Sequence, residues 1–395
     1  MKERHGPRTF DGRSDLDLSI GRAVAAILKN QHTGGAFVAS PDFAQYRYCW
    51  LRDGSFIAYA MDRAGEVAAA DAFHAWCGAV IDRIGPVMQA AVERHEAGAP
   101  LEPSQMPPAR FSLNGLAVED DWPNFQLDGY GTWLWALHEH LRRTGARDVP
   151  TQLAPVVERT ARYLAELGRS PCFDVWEEAG SSVHTTTLAC VCGGLRAAAA
   201  MLDHAGLAEQ AGSLAASLLD RARREGRFSK SDHSRDVDAS LLWLCEPFGV
   251  VPPSEAVFVE TVRAIAEELD LDGGIRRYPG DTYYGGGAWP VLTASLGWYY
   301  ARTGDLDAAE RCREWVAGHF DDEGHLAEQF GGDKRDPAHY SEWVGRWGPP
   351  AADLTWSHAM YVVLATEIKE RALGPGANHP SGSRPSAEEA LHEGL

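Results

Sequence analysis

Clustered positive charge is the first thing this sequence lacks. Lysine and arginine total 37 against 56 aspartates and glutamates, a formal charge of −19. Phosphate backbones are held by grouped lysine and arginine, so nucleic acid is excluded as an expected partner. Cysteine is sparse as well. The 7 cysteines (Cys49, Cys77, Cys172, Cys190, Cys192, Cys245 and Cys312) are odd in number and scattered, which excludes a disulfide framework. Cys190 and Cys192 form a C-x-C pair in an alanine-rich stretch, where packed thiols explain them better than zinc does. No apolar run reads as long enough to span a bilayer. The polar start Met1-Lys2-Glu3-Arg4-His5-Gly6-Pro7 lacks the apolar core of a signal peptide. The expectation is a cytoplasmic protein with no membrane partner. Alternating strand patterns are missing too, which argues against a β-rich fold.

What is present is helical spacing. The chain is 45% hydrophobic and 24% charged, ordinary globular material, and its 395 residues could make one large domain. Apolar residues three and four apart predict helices over 18–28, 55–64, 68–92, 130–142, 153–167, 184–201, 207–219, 237–244, 256–269, 288–300, 306–316 and 354–368. Stop signals built on Gly65, Gly145, Gly206 and Gly304 punctuate them, with a looser turn at 248–253. The longer connections, 34–52, 98–128, 170–183, 227–236, 272–287 and 321–353, each precede the second helix of a pair. They hold most of the tryptophan, arginine and acidic clusters. Short loops on one side and long aromatic-acidic loops on the other fit a closed ring of helix hairpins with a site at one mouth. The predicted fold is all-α, an (α/α)6 barrel over residues 1–373 as one domain. Residues 374–395, rich in Gly, Pro, Ser and Glu, read as a disordered tail.

Six segments carry candidate chemistry. Tyr46 to Gly54 ends in Arg52-Asp53 at a helix start. Asp53 could simply cap that helix, or accept hydrogen bonds from sugar hydroxyls while Arg52 holds a neighbouring carboxylate and Tyr46 and Trp50 form a stacking wall. Aromatic rings beside charges suit carbohydrate, whose C–H faces are apolar and whose rim is polar. In the segment 120–129, Asp128 could be a plain N-cap and Pro123 a loop stiffener. Asp120-Asp121 is too short a run for a diphosphate–magnesium motif. In Phe173-Asp174-Val175-Trp176-Glu177-Glu178, Trp176 could desolvate a general acid while Asp174 or Glu178 repels its charge. In the segment 276–287, Arg277 could clamp a hydroxyl or an acidic neighbour, with Asp281 fixing its fork. The glycines there lack the Lys-Ser/Thr end of a phosphate-binding loop. Glu328 is either a salt-bridge partner or a general base. In the segment 353–358, His358 reads as a satisfied buried histidine. His138 and His140 point to different faces of one helix and make no metal pair.

The ordered set of these segments resembles the glucoamylases, glycoside hydrolase family 15, over about residues 46–357. The motifs are Tyr-x-x-x-Trp-x-Arg-Asp, Trp-x-x-x-Gln-x-Asp-Gly, Asp-x-Trp-Glu-Glu, Arg-Tyr-Pro-x-Asp-Thr-Tyr-Tyr, Glu-Gln and Leu-Thr-Trp-Ser. The resemblance implies an (α/α)6 barrel that releases glucose from non-reducing ends with inversion, without metal or organic cofactor. It implies Glu177 as general acid and Glu328 as general base, with Glu178 touching the leaving sugar. Tyr46, Trp50, Arg52, Asp53, Trp176, Arg277 and Trp356 would line the glucose pocket, and Trp122 would sit at its rim. Fewer than fifty residues precede the first motif, so the expectation is a short form without the N-terminal β-sandwich of many bacterial relatives. The expected partner is a short α-linked gluco-oligosaccharide: isomaltose-type α-1,6, maltose-type α-1,4 or α,α-trehalose. The segment 331–350, with Tyr340, Trp343 and Trp347, is expected to narrow the acceptor side. A non-catalytic sugar-binding barrel and a histidine-dependent epimerase are the rival readings.

Overall fold

A computed structural model describes residues 12–373 except 119 and 147. The tail expected at 374–395 lies outside the described residues. Helix α1 (Gly12–Lys29) is followed by a long connection to α2 (Leu51–Ala64), and α3 (Val67–Arg83) and α4 (Gly85–Glu96) lead on to α5 (Asp128–Thr144). Then come α6 (Ala154–Leu167), α7 (Thr185–Leu202), α8 (Ala205–Glu225), a 3₁₀ helix at Ala239–Leu244, and α9 (Ala256–Glu268). The chain continues through α10 (Pro290–Thr303), α11 (Leu306–Ala317), the short α12 (Gly332–Arg335), α13 (Pro337–Trp347) and α14 (Thr355–Ala372).

Six of these elements close a ring. Helix α2 packs on α5, α5 on α7, α7 on the 3₁₀ helix, that helix on α10, α10 on α14, and α14 back on α2. Outside it, α1, α3, α6, α8, α9 and α11 each cover part of the ring. This is the (α/α)6 barrel. Every long connection runs from an outer to an inner element, so the N-terminal ends of the inner elements share one mouth. Short turns return the chain at the other end. Gly65, Gly145 and Gly304 make three of those turns in the left-handed conformation, where a side chain would be strained.

The ring is tightest between α5 and α7. A Cβ on Gly131 would run into the Cys190 carbonyl, and one on Gly194 would meet the Gly131 backbone. Packing on all sides explains why α7 is so apolar. Contrary to the sequence reading, it is long and apolar enough to cross a bilayer, with mean hydropathy 1.3. It is 78% buried inside the barrel.

Four further expectations are corrected. The helix expected over 68–92 breaks at Ile84, because Pro86 lacks an N–H and crowds the carbonyl of the preceding turn. The fourth inner element is a short 3₁₀ helix, opened by Asp238 accepting from Ser240 N at 2.9 Å. The stop assigned to Gly206 belongs to Asp203, which takes the left-handed conformation, and Gly206 lies inside α8. The connection 321–353 contains α13, started by Asp336, which accepts from His339 N at 3.2 Å, and by Pro337 at its first position.

Candidate functional site

Two antiparallel residue pairs staple the first two long connections: Cys49 faces Phe111 and Trp50 faces Arg110. Arg110 lies 3.6 Å from the centre of the Trp122 ring and 4.3 Å from that of Tyr48. The stapled loops, and those before α7, α10 and α14, surround a cavity of about 340 Å³ at the shared mouth. That is the small end of ligand pockets, which run about 300–1,000 Å³. All eleven residues singled out from the sequence line it: Tyr46, Trp50, Arg52, Asp53, Trp122, Trp176, Glu177, Glu178, Arg277, Glu328 and Trp356.

Glu177 sits in a tight turn made by Asp174. Asp174 Oδ1 accepts from Trp176 N at 2.9 Å and Glu178 N at 2.8 Å, and its carbonyl accepts from Glu177 N at 2.9 Å. Glu177 itself adopts φ 67, a left-handed conformation that is costly for a non-glycine residue. Asp174 is therefore a turn builder held by Lys230 at 3.2 Å, not the repelling neighbour expected from sequence. The Trp176 indole turns away and donates to Asp238 at 2.9 Å. The indole that meets Glu177 belongs to Trp50, whose Nε1 donates to Glu177 Oε1 at 2.6 Å, and Gln126 Nε2 donates to the same oxygen at 3.1 Å.

Glu328 is 1% exposed. Tyr46 donates to its Oε1 at 2.8 Å, while Oε2 is buried without a hydrogen bond to any described residue. Burial pushes its pKa up to about 7, against the opposing pull of the Tyr46 hydroxyl and the Arg277 charge. Tyr46 and Trp50 pack edge to face at 5.6 Å, so the two glutamates bracket one aromatic pair. They share no hydrogen bond with each other.

Asp128 is not the helix cap it resembled. It takes Arg52 Nη1 at 2.8 Å, and Gln126 Oε1 takes the same nitrogen at 3.2 Å. Arg52 Nε also stands 3.3 Å from Asp53, whose pKa burial pushes up to about 6, with Glu177 adding to the rise. Arg277 behaves as its sequence neighbourhood suggests. Asp281 grips it with both oxygens, and Glu178 Oε1 takes its Nη2 at 3.2 Å. Tyr278 donates to Glu178 Oε2 at 2.5 Å.

Sequence reasoning missed Tyr283, Trp289, Gln126, Lys230 and Arg346. Tyr283 shares a 2.8 Å hydrogen bond with the Tyr46 hydroxyl. Trp347 stacks on Trp122 at 6.4 Å, Trp343 packs on Trp347 at 5.0 Å, and the Arg346 guanidinium lies over both. Helix α13 thus brings Trp343, Arg346 and Trp347 into the cavity wall, whereas Tyr340 packs on Tyr284 and does not line it. Gln126 stood inside a quoted motif without a role. Lys230 stood outside every aromatic-acidic cluster and gave no signal.

A family model described as "Glycosyl hydrolases family 15" matches residues 17–315. The chain belongs to this family. It is a glycoside hydrolase. It is 40% identical to the isomaltose glucohydrolase of Kribbella flavida, over 87% of this chain and 91% of that one. The trehalase of Mycobacterium tuberculosis is 28% identical over 59% of this chain and 36% of its own length. Among solved structures, a wild-type glycosidase and a glycosidase variant in complex with glucose each superpose with a TM-score of 0.86 at 36% identity. The match spans 92% of this chain and 99% of theirs.

Proposed function

We propose that this family 15 hydrolase is an inverting, exo-acting α-glucosidase that releases β-glucose from the non-reducing end of short α-linked gluco-oligosaccharides, isomaltose-type α-1,6 substrates first. The observation that carries the reading is the pair of carboxylates, Glu177 and Glu328, on one small aromatic cavity. The similarity to an isomaltose glucohydrolase supports the linkage. The relatives also include trehalases, which keeps α,α-trehalose as the second reading. The epimerase reading loses support because no histidine lines the cavity among the described residues.

In the proposed displacement, Glu177 protonates the glycosidic oxygen. Its Oε1 already accepts from Trp50 and Gln126, so the proton belongs on Oε2. Glu328 takes a proton from water attacking the anomeric carbon on the opposite face. Its Oε1 is held by Tyr46, leaving Oε2 as the accepting atom. Asp53 accepts from sugar hydroxyls, Arg277 lines the glucose pocket and holds Glu178, and Glu178 touches the leaving sugar. Inversion needs room for the water, so the carboxyl groups should stand roughly 6.5–9.5 Å apart with substrate bound. Trp122 and the α13 residues Trp343 and Trp347 form the rim that limits acceptor length.

A panel of isomaltose, maltose, trehalose and dextran, read with NMR of fresh product, tests linkage and stereochemistry together. Isomaltose should give the highest kcat/KM, exceeding long dextran by about tenfold or more, with β-glucose first. Trehalose as best substrate would transfer the assignment to the trehalases. α-Glucose as first product would end the inverting mechanism. Equal rates on dextran and isomaltose would remove the limiting role of α13.

The pH profile supplies a separate prediction. A base works only when ionised, and Glu328 is pushed up to about 7. The kcat/KM for isomaltose should therefore fall on the acid side of about pH 7, approaching tenfold per unit. A rate constant that stays level from pH 8 to about pH 5 would contradict Glu328 as the base in this environment.

A further inference from the structure

At the opposite end of α2 from Asp53, about 13 Å along the helix, three side chains from three helices converge. They are Asp62 of α2, His74 of α3 and His140 of α5. One ligating atom from each lies within 4.8 Å of the other two. His74 is 2% exposed, and neither of its ring nitrogens hydrogen-bonds to any described residue. A buried imidazole with both nitrogens unpartnered has lost its hydration without compensation. His140 Nδ1 stands 2.9 Å from Asp62 Oδ1, and its Nε2 stands 2.9 Å from Asp71 Oδ1. The second contact is the outer carboxylate that commonly fixes the ring of a metal-bound histidine.

We propose that Asp62, His74 and His140 form a binding site for a divalent cation of the zinc class, with Asp71 orienting His140 through Nε2. Two imidazoles and one carboxylate are the donor set that suits such an ion. Asp62 and Asp71 together balance its two charges. The ion takes the place of the proton between His140 Nδ1 and Asp62, and that proton leaves to solvent. Tetrahedral ligands at about 2.0–2.1 Å from zinc lie roughly 3.3 Å apart, so the Asp62–His140 contact opens by a few tenths of an ångström. The site pins α2 to α3 and α5 at the end of the barrel remote from the cavity, so its role is structural. Asp71 is largely exposed and marks the entry side.

The full chain, stripped with a chelator and dialysed against zinc chloride, should retain about one zinc ion by mass-spectrometric metal analysis and melt at a higher temperature than the stripped form. His74→Leu and His140→Asn should retain less than about a tenth of that. Asp71→Asn, at an exposed position that does not threaten folding, should weaken zinc by about 10–100-fold in chelator competition. His325→Ala, in the exposed group Asp321, Glu323 and His325, should bind zinc like the parent. A wild-type chain without zinc overturns the proposal. So does wild-type affinity in both His74→Leu and Asp71→Asn, or loss of the ion in His325→Ala. If His74→Leu fails to fold, judged by its melting curve without metal, Asp71→Asn decides alone.

Discussion

Glu177→Gln and Glu328→Gln are each expected to cut kcat on isomaltose by roughly 10²–10⁴ while leaving the helical circular dichroism unchanged. The two losses arise differently. Glutamine at 177 can still accept from Trp50 and Gln126, so the turn and the pocket survive, but it has no proton to give the leaving oxygen. A substrate with an activated leaving group needs no such proton. Glu177→Gln should therefore recover most of its rate on an aryl α-glucoside, and Glu328→Gln should not. The stability signs separate the residues further. Glu328 has a folded pKa of about 7 against an ordinary 4.5, so the folded state binds the proton more tightly. Between those values, rising pH ionises the unfolded chain first and weakens the fold, and above about pH 7 the full cost of about 3 kcal/mol is present. Glu328→Gln removes that cost. Its melting temperature should exceed the parent's at pH 8, and the gap should shrink at pH 5. A variant that keeps near-parent turnover would remove its residue from the acid–base pair. A Glu328→Gln gap that does not depend on pH would show that burial is not what perturbs this carboxyl.

Much of this arrangement was legible in the sequence because it is written in local patterns. Apolar spacing of three and four gave the inner and outer helices. The contrast between short glycine turns and long aromatic loops gave the mouth. Patterns fail where a distant contact decides. Asp128 has the look of a helix cap in sequence, yet it answers Arg52, 76 residues away. Asp174 stands beside Glu177 as a like charge, yet its oxygens bind backbone amides and its charge is answered by Lys230 from the next long connection. Tyr283 and Trp289 were hidden among other aromatics, because nothing local says which rings face a cavity. Helix α13 was the avoidable miss. Asp336-Pro337 is a helix start, and Tyr340, Trp343, Val344 and Trp347 repeat at helical spacing.

Arg277→Met should be the most damaging single change to the pocket outside the carboxylate pair. Arg277 is 3% exposed and its partner Asp281 is 1% exposed. The guanidinium centre lies 5.1–5.6 Å from the ring centres of Trp176, Tyr278, Tyr283 and Trp289. Methionine fills much of that space but leaves the Asp281 carboxylate buried without its counter-charge. Removing one partner of a buried pair costs about 3–5 kcal/mol, and in a chain of this size the melting temperature should drop on the order of 5–10 °C. Activity should fall by about 10² or more, because the fork also holds Glu178 and fixes Asp281, which accepts from Tyr283 N, and Tyr283 in turn orients Tyr46 against Glu328. The double variant Arg277→Met with Asp281→Asn distinguishes charge from packing. The asparagine amide can still accept from Tyr283 N and carries no stranded charge, so the double variant should regain a large part of the lost melting temperature but little of the lost activity. If the second substitution restores no stability, the loss in Arg277→Met comes from packing rather than from a stranded Asp281 charge. If it restores activity as well, the guanidinium acts only as a counter-charge, and Glu178 needs no fork to hold the leaving sugar.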